Sequence, residues 1–211
     1  MNTPPSYTES DAPNAQDVLH FWLGDGLERG WCSDNRDDLW FAGGPKLDAD
    51  IRQRFGPLVE RAIDGALGDW EAQMETRLSL VLLLDQFPRN IHRGKPRAFA
   101  GDARAQQLVQ QALASGLDRD LATVGRVFLY MPLVHAENLA LQDEAVARFQ
   151  QLRDTSAPEL REKLDRNLHF AKLHRDIVLR FGRFPHRNAA LGRTSTAEEL
   201  AFLKDGPRFG Q

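Results

Sequence analysis

The chain has one cysteine, Cys32, among its 211 residues. No disulfide can form within it, and a reducing compartment suits it. No base or motif flanks that thiol, so it is expected to be inert. Charge is nearly balanced, with 27 basic and 30 acidic side chains and a net −3. That removes the electrostatic reason to expect nucleic acid or an anionic membrane as a partner. No apolar run approaches the ~20 residues of a membrane span. The opening, Met1 to Ala15, is polar, acidic and Pro-rich and lacks the basic and apolar regions of a signal peptide. A disordered tail is expected there, then one helical domain over 16–211, in the cytoplasm. Gly-x-Ser-x-Gly, Walker A and Gly-x-Gly-x₂-Gly are all missing. So are His-x₃-His, His-Glu-x₂-His and paired cysteines, and neither a metal nor a cofactor is expected.

What is present is helical. No stretch alternates with period two, so strands are not expected. Asp17 to Leu23 forms a short apolar helix stopped by glycines, and Trp22, Trp31, Trp40 and Phe41 follow as core-edge anchors. Leu47 to Leu67 continues helical, with a kink or break at Gly56-Pro57. Leu78 to Asn90 is the stretch that organises the chain. It opens as an apolar run facing every side of a helix and ends in Asp85, Gln86, Arg89 and Asn90, which places charges beside a core where each needs a partner. A basic loop, a helix over Asp102 to Ala114 and another over Leu121 to Met131 come next, with Pro132 marking a boundary. Leu133 to Leu152 reads as a long helix. Ser156-Ala157-Pro158-Glu159 has the capping-box pattern and opens a helix to Phe181, closed by Gly182; Thr196 to Glu199 repeats the pattern before a last short helix. The expected class is all-α, built from stacked antiparallel helix pairs.

Two turns echo each other. Phe87-Pro88-Arg89-Asn90 leads, three residues on, to Gly94-Lys95; Phe184-Pro185-His186-Arg187-Asn188 leads, three residues on, to Gly192-Arg193. Phe, Pro, Asn and Gly serve a turn structurally. The arginines do not, and their planar forks suit a shared carboxylate or phosphate. Alternatively, Arg89 and Arg187 satisfy internal acids such as Asp85 and helix-end carbonyls.

Polar residues also interrupt apolar faces. On the Leu133–Leu152 helix, His135, Asn138 and Gln142 fall within the apolar arc, whereas Glu137, Glu144 and Arg148 read as solvated charges. On the following helix, Asn167 and His174 lie on the buried face. Unpaired, such groups would cost about 1–3 kcal/mol each, so they meet one another, water or a ligand. A structural network and a bundle-interior binding site both fit.

Three segments carry a family resemblance: Leu82 to Asn90 (LLLDQFPRN), Phe128 to Glu137 (FLYMPLVHAE), and His174 to Asn188 (HRDIVLRFGRFPHRN) with Leu191-Gly192-Arg193. With Phe21-Trp22 and Ala98-Phe99 they resemble the bacterial domain of unknown function 924, over nearly all of Val18 to Leu203. The resemblance implies a tetratricopeptide-like all-helical fold and no activity. The family pattern tends to read His-Ser-Glu-Asp where this chain has His135-Ala136-Glu137-Asn138.

The functional expectation is an interior site for a small anionic molecule. Arg89 and Arg187 hold the anion, with Asn90, Asn138, Gln142, His186 and Asn188 completing the site. If it is catalytic, His135 or His174 is the acid–base group and Asp85 its orienter. The alternative is a non-enzymatic scaffold that presents a groove to a peptide.

Overall fold

The computed structural model describes residues 12–207 and 209, and no strand occurs among them. The helices are α1 (Ala15–Leu23), α2 (Gly26–Arg29), α3 (Pro45–Ile63), α4 (Met74–Ile91), α5 (Asp102–Ala114), α6 (Thr123–Val134), α7 (Leu139–Thr155), α8 (Arg161–Phe181) and α9 (Ala197–Asp205). Short 3₁₀ turns join several of them, among them Pro96–Phe99 before α5 and Pro185–Arg187 after α8. The class is all-α, as expected. Residues 1–11 of the expected tail lie outside the described residues. Its last two do not fit that expectation: Asn14 caps α1 through a capping box with Asp17, and Ala15 opens the helix.

Helix α4 is the axis of the main core, packed by α1, α3, α5 and α6. Leu78, Leu80, Leu82, Leu83, Leu84 and Phe87 are all buried. Each such side chain contributes about 1.5–3 kcal/mol relative to exposure. The rings of Phe21, Trp22, Phe55 and Phe87 contact one another beside α4, and Trp40 packs on Phe128; Phe41 lies out in solvent instead. Beyond α6, α7 and α8 form an antiparallel pair. Its register shows in two ion pairs, Arg153–Asp165 and Arg175–Asp143, in which each step up one helix is matched by a step down the other. A small satellite core of Ile177, Val178 and Phe184, joined by Phe181, Phe202 and Phe209, sits at the end of α8.

Prolines break fewer helices than the sequence suggests. Pro57 lies inside α3 and Pro132 inside α6, and both helices run on. Pro88 likewise lies inside α4, so Arg89 and Asn90 belong to the last helical turn rather than to a turn after it. Pro88 has no N–H for the Leu84 carbonyl, yet its own carbonyl accepts the His92 N–H at 2.8 Å and the turn closes. Gly101 packs against that Leu84 carbonyl so closely that a Cβ at 101 would collide with it. This approach delivers Asp102, the first residue of α5, to α4.

The expected Leu133–Leu152 helix is two helices. The break falls at 135–138, because the Asn138 side chain accepts the Leu141 N–H at 3.2 Å and caps α7. Gln142 then covers the exposed end of α6, donating from Nε2 to the Val134 carbonyl at 2.6 Å and the Ala136 carbonyl at 2.8 Å. The Ser156 capping box does not form, since Ser156 closes α7 with its N–H on the Leu152 carbonyl. Both boxes elsewhere, at Asn14 and Thr196, are made, and Gly182 ends α8 in the left-handed region.

Candidate functional site

The site lies where α4, the start of α5, the end of α6 and the turn after α8 converge. Asp85 is its buried centre. The His135 Nδ1–H reaches both carboxylate oxygens, at 2.8 and 3.0 Å, and Gln86 Nε2 donates to Oδ2 at 2.6 Å. Arg89 Nη1 stands 3.3 Å from Oδ1 and donates to the Asp85 carbonyl at 2.6 Å. Burial opposes the Asp85 charge, but Arg89 and then His135 outweigh it, and the carboxyl is held well below the usual range. Burial lowers the His135 pKa, against the pull of Asp85, so the ring is neutral near pH 7. With the proton on Nδ1 fixed by Asp85, the His135 Nε2 keeps a free lone pair.

Asp102 joins the two echoing turns. Arg89 grips it with two bonds, Nη1 to Oδ1 at 2.9 Å and Nη2 to Oδ2 at 3.0 Å, and Arg187 Nη1 reaches Oδ2 at 3.3 Å. Both guanidinium groups pack on the Phe99 ring, and Arg187 is also stacked on Phe184, 4.5 Å from its centroid. The Arg187 side chain is only 6% exposed, and its Nε has no partner. Burial, then the neighbouring Arg89 charge, lowers its pKa to about 10. Its positive charge is therefore under-compensated.

Two more histidines adjoin. His174 Nδ1 lies 2.8 Å from the Phe170 carbonyl. A carbonyl only accepts, so Nδ1 carries the proton and Nε2 a lone pair. Its ring centroid is 6.1 Å from that of His135. His186 Nδ1 is buried without a partner. Burial, then His135, lowers the His174 pKa to about 3; burial, then Arg187, does the same for His186. Both rings are neutral across the physiological range.

The chain matches, over residues 18–207, the family model described as "Bacterial protein of unknown function (DUF924)". It belongs to the DUF924 family. A solved structure titled as a protein of unknown function, ATU0120 from Agrobacterium tumefaciens, is 36% identical, with a TM-score of 0.74. That match covers 91% of this chain and 97% of the other. Comparison with curated proteins gives no match.

In this DUF924 protein the expected site residues divide. Asp85, Arg89, His135, His174, His186 and Arg187 are brought together. Asn90 stands at the edge, donating from Nδ2 to the Gln86 carbonyl at 3.1 Å and accepting from Arg93 at 3.3 Å. Asn188 is tied to Ser195, Glu199 and Arg193, which anchors α9. Asn138 is an exposed helix cap, and Gln142 commits its Nε2 to main-chain carbonyls while its Oε1 is buried without a partner. Asp102 and Glu137 were not expected. Glu137 is no solvated charge: it forms a double ion pair with Arg193, at 2.6 and 2.8 Å, and accepts the Phe184 N–H at 2.8 Å. Burial opposes its ionisation, but these partners outweigh that and lower its pKa. The shared Gly-basic element of the two turns held the one available clue, since Arg193 needed an acid.

Among the described residues no group of three or more His, Cys, Asp or Glu could hold a metal ion, and no helix is long and apolar enough to cross a membrane. Cys32 donates to the Leu23 carbonyl at 2.9 Å, and burial pushes its pKa up to about 11. Two cavities, of about 40 and 230 Å³, are lined by neither His135, His174 nor Arg187.

Proposed function

We propose that the convergence of Asp85, His135, His174, His186 and Arg187 binds a small anionic molecule, and that His135 moves a proton on it. The carrying observation is Arg187, a buried guanidinium with an unpartnered Nε–H beside an oriented Asp–His pair. A donor left unpaired at such depth costs about 1–3 kcal/mol, and a carboxylate or phosphate oxygen would satisfy it. Arg89 has less capacity to spare, because Asp102 and the Asp85 carbonyl engage both its terminal nitrogens. Arg89 is the holder of Asp102, and Arg187 is the group that faces the ligand.

The chemistry follows from the tautomers. Neutral His135 takes a proton at Nε2, and Asp85 stabilises the imidazolium that forms. His174 offers a second lone pair and accepts a hydrogen bond from the ligand or its water.

A thermal-shift series with phosphates, carboxylates, nucleotides, sugars and divalent metals tests the reading. Anions alone are expected to raise the transition. A ligand at 100 times its Kd adds about 2.7 kcal/mol, roughly 5–10 °C for a chain of this size. Arg187→Lys keeps the charge but removes the fork, and most of that shift is expected to go. Silence of the wild-type protein across every anion would sink the proposal.

A further inference from the structure

The His174 ring has a partner other than polar groups. Phe209 stacks on it with centroids 3.7 Å apart and planes 25° from parallel. The same ring meets His186 edge-on at 5.6 Å, while Phe184 stands edge-on to His174 at 5.5 Å and beside His186 at 5.4 Å. Three rings thus wall a niche that holds a fourth. Phe209 is the described non-glycine residue with positive φ, at +50°, a backbone conformation that bulky side chains rarely adopt. The backbone is bent out of its preferred range where it delivers this ring.

The niche borders the anion site. Phe184 contacts His174 on one side and carries the Arg187 guanidinium on its face on the other. His186, whose Nδ1 lacks a partner, contacts both Phe184 and Phe209. Phe184 thus joins the niche to the anion site, meeting His174 at 5.5 Å and carrying the Arg187 guanidinium 4.5 Å from its centroid.

We infer that the niche on His174 is the ring subsite of the ligand, that the ligand is an aromatic acid, and that Phe209 occupies its place until displaced. The inference rests on the anion-binding reading above. Flat rings stack on imidazole by their faces, and saturated rings of the same size do not.

Titration calorimetry on the full chain and on Phe209→Ala and Phe209→Leu provides the test. The probes are benzoate, phenylacetate and 3-phenylpropionate, their cyclohexyl counterparts, and acetate. At least one aromatic acid is expected to bind Phe209→Ala tenfold or more tightly than wild type, with smaller gains for its cyclohexyl counterpart and for Phe209→Leu, and none for acetate. Equal gains for aryl and cyclohexyl acids would overturn the aromatic subsite. Aromatic acids and acetate binding alike, whatever stands at 209, would also overturn it while leaving the anion site intact. If no anion binds any of the three proteins, both readings fall together.

Discussion

The turn that ends α4 and the turn that follows α8 share Phe-Pro, Arg-Asn and a glycine followed by a basic residue, yet they do different work. Phe87 and Phe184 are both fully buried, both arginines reach Asp102, and Gly94 and Gly192 both take positive φ, at 72° and 65°. In the first turn the proline stays within the helix, and Arg89 is locked by Asp102 and the carbonyl of Asp85. In the second, Pro185 starts a 3₁₀ turn and one additional residue, His186, precedes the arginine. Arg187 makes a single longer bond to Asp102 and keeps Nε unpartnered. One matched pattern thus yields a structural arginine and an available one.

That contrast breaks first at Arg89. Arg89→Ala removes the counter-charge from both Asp85 and Asp102, and breaking a buried pair in this way costs about 3–5 kcal/mol. Urea unfolding should show that loss, and a change below 1 kcal/mol would mean the first turn is not the structural one. Gly101 sets the acid that both turns share. Gly101→Ala must push the chain off the Leu84 carbonyl, at about 1–3 kcal/mol. The same substitution should weaken anion binding, because Asp102 moves with it.

The third comparison is between pH responses, since burial pushes down the pKa of His186 in the second turn and of His174 of α8 beside it, whereas His92 in the first turn pairs with Glu60. The folded pKa values of His174 and His186 lie near 3, below the ordinary 6.5. Between those limits the unfolded chain binds more protons, so stability rises with pH across the window and the penalty is complete below about 3. These two histidines contribute at most ~1.4–2.7 kcal/mol per pH unit, with the His186 share reduced because its ring is partly exposed. His135, also lowered by burial, adds to the same slope. His186→Gln should flatten the slope by no more than half. Unfolding midpoints recorded at pH 4, 5, 6 and 7 check this, and an unchanged slope would place the proton uptake elsewhere.

Much of the fold was legible because its signals are local. The bounds of α5, the capping box at Thr196 and the glycine that ends α8 are all read within a few residues. The misreadings came where a local rule met a tertiary one. Pro132 looked like a boundary, but the break waited for His135 to Asn138, where a side-chain cap and the Gln142 amide could satisfy the freed main chain. The site was half legible for the same reason. Asp85, His135 and His174 stood out as polar groups on apolar segments. Asp102 and Glu137 did not, since an acid in a helical first turn or on the outer face of an expected helix looks solvated; the second arginine on Asp102, Arg187, and the Glu137 partner Arg193 lie 85 and 56 residues away.

The solitary Cys32 has a practical consequence. Its thiol is sheltered, hydrogen-bonded to the Leu23 carbonyl and held protonated by a pKa of about 11. Thiol reagents attack the thiolate, so the folded protein should label slowly and the opened one fast. With a single cysteine, every labelling event reports one place, the segment just after α2 that is tied back to the end of α1. The wild-type chain thus carries a built-in clock for the opening of its amino-terminal packing, readable by mass spectrometry without any engineered probe.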